Sequence, residues 1–168
     1  MGALAVLLLT AGGCGFHLRS YGFGGAVDSY ALVGRTNLDV AASLRRQLQQ
    51  AGVDEVSPGE AALVLELLDQ RRDQRSVSTT GGARAAEYET TLAVQYRVLD
   101  KTGKELVEPT WIERQRVYRI DRANIVGTSG ERSILERELI DDVAGQMLRV
   151  MDTVGQQVPD APGNASAG

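Results

Sequence analysis

EYETTLAVQYRV, Glu87 to Val98, holds the clearest periodicity in the chain. Tyr88, Thr90, Leu92, Val94, Tyr96 and Val98 share one parity, while Glu87, Glu89, Thr91, Ala93, Gln95 and Arg97 share the other. Successive side chains of a strand point to opposite sides of a sheet. A period of two with one apolar set therefore specifies a long β-strand with one covered and one wet face. An apolar layer must cover the first face, and the rest of the chain has to supply it.

The flanks supply more strands. Ala61 to Leu68 is a nearly continuous apolar run, broken only by Glu66, and suits a strand covered on at least one face. Between it and the alternating strand lies a polar stretch, DQRRDQRSVSTTGGAR (Asp69 to Arg84), with a turn signal at Gly81 and Gly82. On the other side DKTG, Asp100 to Gly103, reads as a tight turn whose glycine takes a positive φ. After Pro109 a further strand runs from about Thr110 to Ile120, but its parity does not decide its orientation. Trp111 and Val117 share a face with Glu113 and Arg119, while Ile112, Tyr118 and Ile120 share one with Arg114 and Arg116. Ser29 to Val33 is a short strand nearer the N-terminus.

Two helical patterns provide the cover. Thr36 to Asp39 has the form of a capping box, in which the Thr36 hydroxyl accepts from the Asp39 backbone N–H. Leu38, Ala41, Leu44, Leu48 and Ala51 then form an apolar stripe ended by Gly52. A second helix begins at Ser129 or Ser133 and runs to about Val154, with Ile134, Leu135, Leu139, Ile140, Val143, Met147, Leu148, Met151 and Val154 at spacings of three and four. The order β-α-β-β-β-α predicts an α+β two-layer sandwich, an antiparallel or mixed sheet of about four strands against two helices. The expected organisation is a removed segment at 1–13, a tether at 14–28, the sandwich at 29–156 and a disordered tail at 157–168.

A chain of 168 residues with 43% hydrophobic content and net charge -4 fits one such domain. Its single Cys excludes an internal disulfide, and one Cys with one His makes neither a zinc site nor any other cofactor site expected. The Cys itself carries a signal. Leu4 to Leu9 is an apolar block far shorter than a membrane span, followed by Ala11, Gly12, Gly13 and then Cys14. Small residues leading into a lone cysteine resemble a bacterial lipobox, where a diacylglycerol is added to the sulfur and cleavage falls just before it. Cys14 is therefore the expected lipidated N-terminus rather than a buried core thiol. No Lys or Arg precedes the apolar run, so either the reading frame begins upstream of Met1 or export of this chain tolerates an n-region without a basic residue.

Catalytic groups are sparse. His17, the sole imidazole, falls in the tether, and no nucleophile elbow, P-loop or dinucleotide motif occurs. Glu131, Glu136, Glu138, Asp141 and Asp142 on the last helix are interleaved with Arg132 and Arg137, as on a solvated face. Charge placement says more. In 69–84, Arg71, Arg72, Arg75 and Arg84 stand against two aspartates, and in 110–122 four arginines stand against Glu113 and Asp121, so each segment is net +2 in an acidic protein. Guanidinium forks suit phosphate and carboxylate, so a hairpin that joins these segments offers an anion site. The same arginines equally serve solubility and edge protection. Net acidity without an aromatic-basic platform argues against nucleic acid.

CGFHLR (14–19), RTNLDVAASLRRQLQQAGV (35–53), GGARAAEYETTLAVQYRVLD (81–100) and GERSILERELIDDVAGQML (130–148) stand in an order and spacing that resembles the lipopolysaccharide-assembly lipoprotein family, LptE. The resemblance runs from Cys14 to just before the tail. It implies a non-enzymatic protein tethered to the inner leaflet of the outer membrane, with its α/β sandwich inside the β-barrel translocon LptD, binding lipopolysaccharide and assisting its assembly. Family members carry basic residues near the turn before A-E-Y and near the start of the last helix. Here the nearest are Arg84 and Arg132, which with Arg71, Arg72 and Arg75 make the expected lipopolysaccharide-binding set. Two other readings remain: an auxiliary periplasmic lipoprotein of a lipid transport complex, and an anchored hydrolase dependent on His17.

Overall fold

The computed structural model describes residues 27–79, 85–121 and 125–158. Segment 1–13, Cys14, His17, nearly all of the tether, Arg84 and residues 159–168 lie outside the described residues.

The described chain forms β1 (Ser29–Gly34), α1 (Asp39–Gln50), β2 (Asp54–Glu55), β3 (Leu63–Thr79), β4 (Ala85–Asp100), β5 (Glu105–Asp121) and α2 (Ile125–Gly155). The strands make one mixed sheet in the order β2-β1-β3-β4-β5. β1 runs parallel to β2 and to β3, while β3, β4 and β5 are successively antiparallel. The α+β class is as expected, with one more strand than the sequence suggested. That strand, β2, is two polar residues long and leaves no periodic signal.

The alternating stretch sits second from the sheet edge. Leu92, Val94, Tyr96 and Val98 are buried on the face that both helices cover, and they meet Tyr30, Leu32, Leu63, Leu65 and Leu67 from β1 and β3. Leu44 and Leu48 of α1 and Leu139, Val143, Met147 and Met151 of α2 complete that core. A smaller cluster of Ala31, Ala61 and Val64 lies apart from this core, where Ala31 and Val64 take the other parity of β1 and β3. β5 resolves its ambiguous parity toward the arginines. Ile112 and Tyr118 are buried on the helix side, and Trp111 and Val117 are left exposed. Arg116 can share the covered side because Asp142 of α2 meets its guanidinium there.

Four expectations of local structure are corrected, one of them the start of the last helix, which lies at Ile125 rather than at Ser129 or Ser133. β3 does not stop at Leu68 but continues through the polar stretch to Thr79, held by pairing with β4 from Leu63↔Asp100 to Thr79↔Ala86. β5 likewise begins at Glu105, and Pro109 lies where the β4–β5 register shifts, a bulge position that needs no ladder N–H. The capping box does not form. Leu38 is the N-cap and makes no side-chain bond, because Thr36 is held in a turn by its N–H to Gly34 O at 2.9 Å, and Arg72 engages the Asp39 carboxylate. The other end of α1 behaves as read: Gly52 has φ +77°, and the Gly52 and Val53 N–H groups close onto Gln49 O and Leu48 O. The DKTG turn also holds, with Gly103 at φ +85°. Among the described residues no helix is long and apolar enough to cross a membrane.

Candidate functional site

Strand parity sorts the candidate arginines onto two surfaces. On the helix-free face Arg71 lies over Trp111, its guanidinium carbon 4.2 Å from the ring centroid, with Asp69 3.6 Å from its Nε. Four residues on, Arg75 Nε donates to Glu89 at 2.6 Å. Glu89 is only 8% exposed, so this bond compensates a carboxylate that would otherwise be buried without a partner, and it holds the Arg75 guanidinium above its ordinary pKa. Arg119 meets Glu87 at 2.9 Å across β4 and β5, and Arg97 bridges Glu66 and Glu105 at 2.6 Å each. Each of these arginines already has an acidic or aromatic partner.

The helix side is arranged differently. Arg72 faces the helices because it pairs with Leu92, and its Nη2 donates to Asp39 Oδ2, in the first turn of α1, at 2.9 Å. Its Nη1 lies 3.8 Å from Glu136 Oε2 on α2. Arg132, one turn earlier on α2, donates from Nε to the other oxygen of the same carboxylate at 2.8 Å. Strand and helix thus aim two guanidinium groups at one acid.

Beside them Tyr118 is buried, stacks on Tyr88 at 6.0 Å and accepts a hydrogen bond from Gln74 Nε2. The Glu136 hydrogen bond holds Arg132 above its ordinary pKa. The cluster Arg72, Gln74, Tyr118, Arg132 and Glu136 sits at the end of the sandwich toward the β3–β4 turn. The turn itself, with Arg84, lies outside the described residues. Of the expected set, the structure brings together Arg72 and Arg132, and it places Arg71 and Arg75 on the opposite face.

Sequence reasoning missed Gln74, Tyr118 and Glu136. The four-residue spacing from Arg132 to Glu136 was a usable signal for a helical ion pair. Nothing local revealed that Arg72 would arrive at the same carboxylate. Among the described residues no group of three His, Cys, Asp or Glu side chains is placed to hold a metal ion.

The chain matches the family pattern described as "LptE: Lipopolysaccharide-assembly" over residues 25–151. It is similar to the LPS-assembly lipoprotein LptE of Photorhabdus laumondii, with 28% identity over 159 residues that cover 90% of this chain and 84% of the relative. Its fold is similar to that of an uncharacterized lipoprotein B from Nitrosomonas europaea, with a TM-score of 0.67, 20% identity and coverage of 76% of this chain and 83% of that one. It is also similar to that of the rare lipoprotein B from Shewanella oneidensis, with a TM-score of 0.63, 24% identity and coverage of 74% and 94%. At these identities the two structures show a shared fold.

Proposed function

Since this chain belongs to the LptE family of lipopolysaccharide-assembly proteins, we propose that it is an outer-membrane lipoprotein and a non-catalytic subunit of the LptD-type β-barrel translocon. In this reading Cys14 carries the lipid, and the sandwich enters the barrel lumen as a plug. There it binds lipopolysaccharide and assists its assembly into the outer leaflet. The observation that carries the reading is the family match over residues 25–151, which takes in α1, the five described strands and most of α2. Two or three acyl chains, at about 0.8 kcal/mol per buried methylene, would anchor the protein stably. The wet sheet face, dense in paired charge, suits a polar lumen rather than hydrocarbon. Within the expected set Arg71, Arg72, Arg75, Arg84 and Arg132, the proposed contacts for lipid phosphates are Arg72 and Arg132, the two that converge on Glu136.

The test is purification of the tagged full chain from detergent-solubilised outer membrane. Co-elution of a large β-barrel in stoichiometric amount is expected, and recovery of the lipoprotein without one overturns the reading. In the same cells Cys14→Ala should abolish palmitate incorporation and release the protein from the membrane fraction.

A further inference from the structure

We propose that Glu136 is an internal stand-in for a phosphate group: it occupies the Arg72–Arg132 pair until a phosphate of an anionic glycolipid headgroup displaces it. The inference rests on the reading that this chain binds lipopolysaccharide, and it assigns that binding to one side of the molecule.

The geometry at Glu136 is that of an imperfect partner. One oxygen makes a full hydrogen bond to Arg132 at 2.8 Å, but the other stops 3.8 Å from Arg72, a distance at which charge attracts and no hydrogen bond forms. A carboxylate presents two oxygens in one plane, and α2 fixes where they sit. A phosphate monoester presents three oxygens on a tetrahedron and carries more charge, so it can reach both forks at once. Each guanidinium has five N–H donors, of which Arg132 gives one to Glu136 and Arg72 gives one to Asp39. Tyr118 accepts from Gln74 and so keeps its own proton to donate.

Charge balance explains why the acid matters. Arg72 and Arg132 are offset by Asp39 and Glu136, so the resting cluster is neutral. A neutral cluster binds an anion weakly and releases it readily, as a passing contact for lipid in transit requires. Displacing Glu136 from between the forks frees two cations. The opposite face offers no equivalent. There, among the described residues, Arg71, Arg75 and Arg119 stand beside Asp69, Asp73, Glu87, Glu89 and Glu113, a net acidic surface on which each of these three arginines is already engaged.

The test measures binding of the full chain in detergent to lipid A with both phosphates, to lipid A stripped of them, and to inorganic pyrophosphate. Glu136→Gln keeps the shape of the side chain and a hydrogen-bond acceptor for Arg132 but removes the charge. It should tighten binding of phosphorylated lipid A several-fold and leave dephosphorylated lipid A unchanged. Arg132→Ala, on an exposed helical position, should weaken phosphorylated lipid A on the order of tenfold, the loss of a charge-assisted hydrogen bond. Arg72→Lys should weaken it while preserving the contact with α1, and Arg45→Ala, on the far side of α1, should change nothing.

If phosphorylated lipid A binds and neither Glu136→Gln nor Arg132→Ala changes its affinity, the stand-in role is overturned while the proposed function survives. Failure of every lipid A form to bind overturns both. Pyrophosphate binding that responds to these variants when lipid A binding does not would place a free-phosphate site here and overturn the glycolipid assignment.

Discussion

Replacing Gly34 by alanine tests whether the join between β1 and β3 is as tight as the packing of the core demands. Gly34 ends β1 at φ +79°, opposite Leu67, and the Arg35 N–H donates to Leu67 O at 2.8 Å. A Cβ at Gly34 would sit 2.3 Å from that same carbonyl oxygen. Two costs follow. Holding an L-residue at positive φ costs about 1–2 kcal/mol, of which roughly 0.4–1 kcal/mol is returned because alanine restricts the unfolded chain. The second cost is steric. Moving from 2.3 Å to an ordinary contact near 3.4 Å requires β1 to retreat about 1 Å from β3. That movement stretches the Arg35 bond, worth about 1 kcal/mol, and opens the seam between Leu32 and the fully buried Leu65 and Leu67. The total is about 2–4 kcal/mol.

Gly52 supplies the control: it has φ +77°, but nothing lies within 4 Å of an added Cβ. Gly52→Ala should therefore cost only the conformational part, about 1 kcal/mol. Urea denaturation followed by circular dichroism reads both values, and a melt should show Gly34→Ala lowered by roughly 8–16 °C at about 4 °C per kcal/mol for a domain of this size. If Gly34→Ala costs no more than Gly52→Ala, the close approach of β1 to Leu67 is not a constraint, and the account of this seam fails.

Other consequences are equally direct. Burial, reinforced by the Glu55 charge and by the hydrogen bond that the Tyr30 hydroxyl donates to it, pushes Tyr30 from 10.0 up to about 12. The neutral phenol is thus favoured in the folded state, so its contribution is complete below pH 10 and fades as pH rises toward 12. At most on the order of 2–3 kcal/mol is at stake, and Tyr30→Phe should flatten the alkaline limb of a pH-stability curve. Asp100 behaves in the opposite sense: bonds from the Thr102 hydroxyl and from the Lys104 and Thr102 N–H groups hold its carboxyl below the ordinary 3.8. Its support of the β4–β5 turn is full above that value and is lost as pH falls through the depressed one. Asp100→Asn should therefore lessen the acid sensitivity of amide exchange in residues 99–105. Between the helices, Ser43 is buried and its hydroxyl and Arg46 both donate to Asp141 at 2.5 Å. Asp141→Ala should cost about 1–2 kcal/mol by denaturation, and Ser43→Ala combined with it should add little, because the two share one bond.

The fold was legible where one face of an element was apolar. β4 declared itself through strict alternation, and α1 and α2 through stripes that the structure buries at Leu44, Leu48, Leu139, Val143, Met147 and Met151. Elements whose stability comes from a neighbour were not legible. Asp69 to Thr79 has little strand propensity of its own and is extended because β4 offers a ladder along its whole length. Its polar residues are tolerated on the covered side because Asp39, Glu136 and Tyr118 meet Arg72 and Gln74 there. β5 hid its orientation for the same reason. Arg116 looks like a surface residue until α2 brings Asp142 to it.

The candidate site divides along the same line. That Arg-rich segments would matter could be read from local charge, yet a list of arginines cannot say which guanidinium groups meet. Parity decides it: Arg71 and Arg75 differ from Arg72 by odd numbers of residues and fall on the opposite face. An alternation count from Leu92 through its partner Arg72 would have made this separation in advance, had the polar stretch been recognised as strand. The convergence of Arg72 with Arg132 is a tertiary fact of another kind. It depends on α2 crossing the sheet so that Glu136 reaches β3, and that crossing is set by Leu139, Val143 and Met147 joining the core under β4 and β5. The apolar stripe that made the helix recognisable therefore also aims its charged turn at the strand.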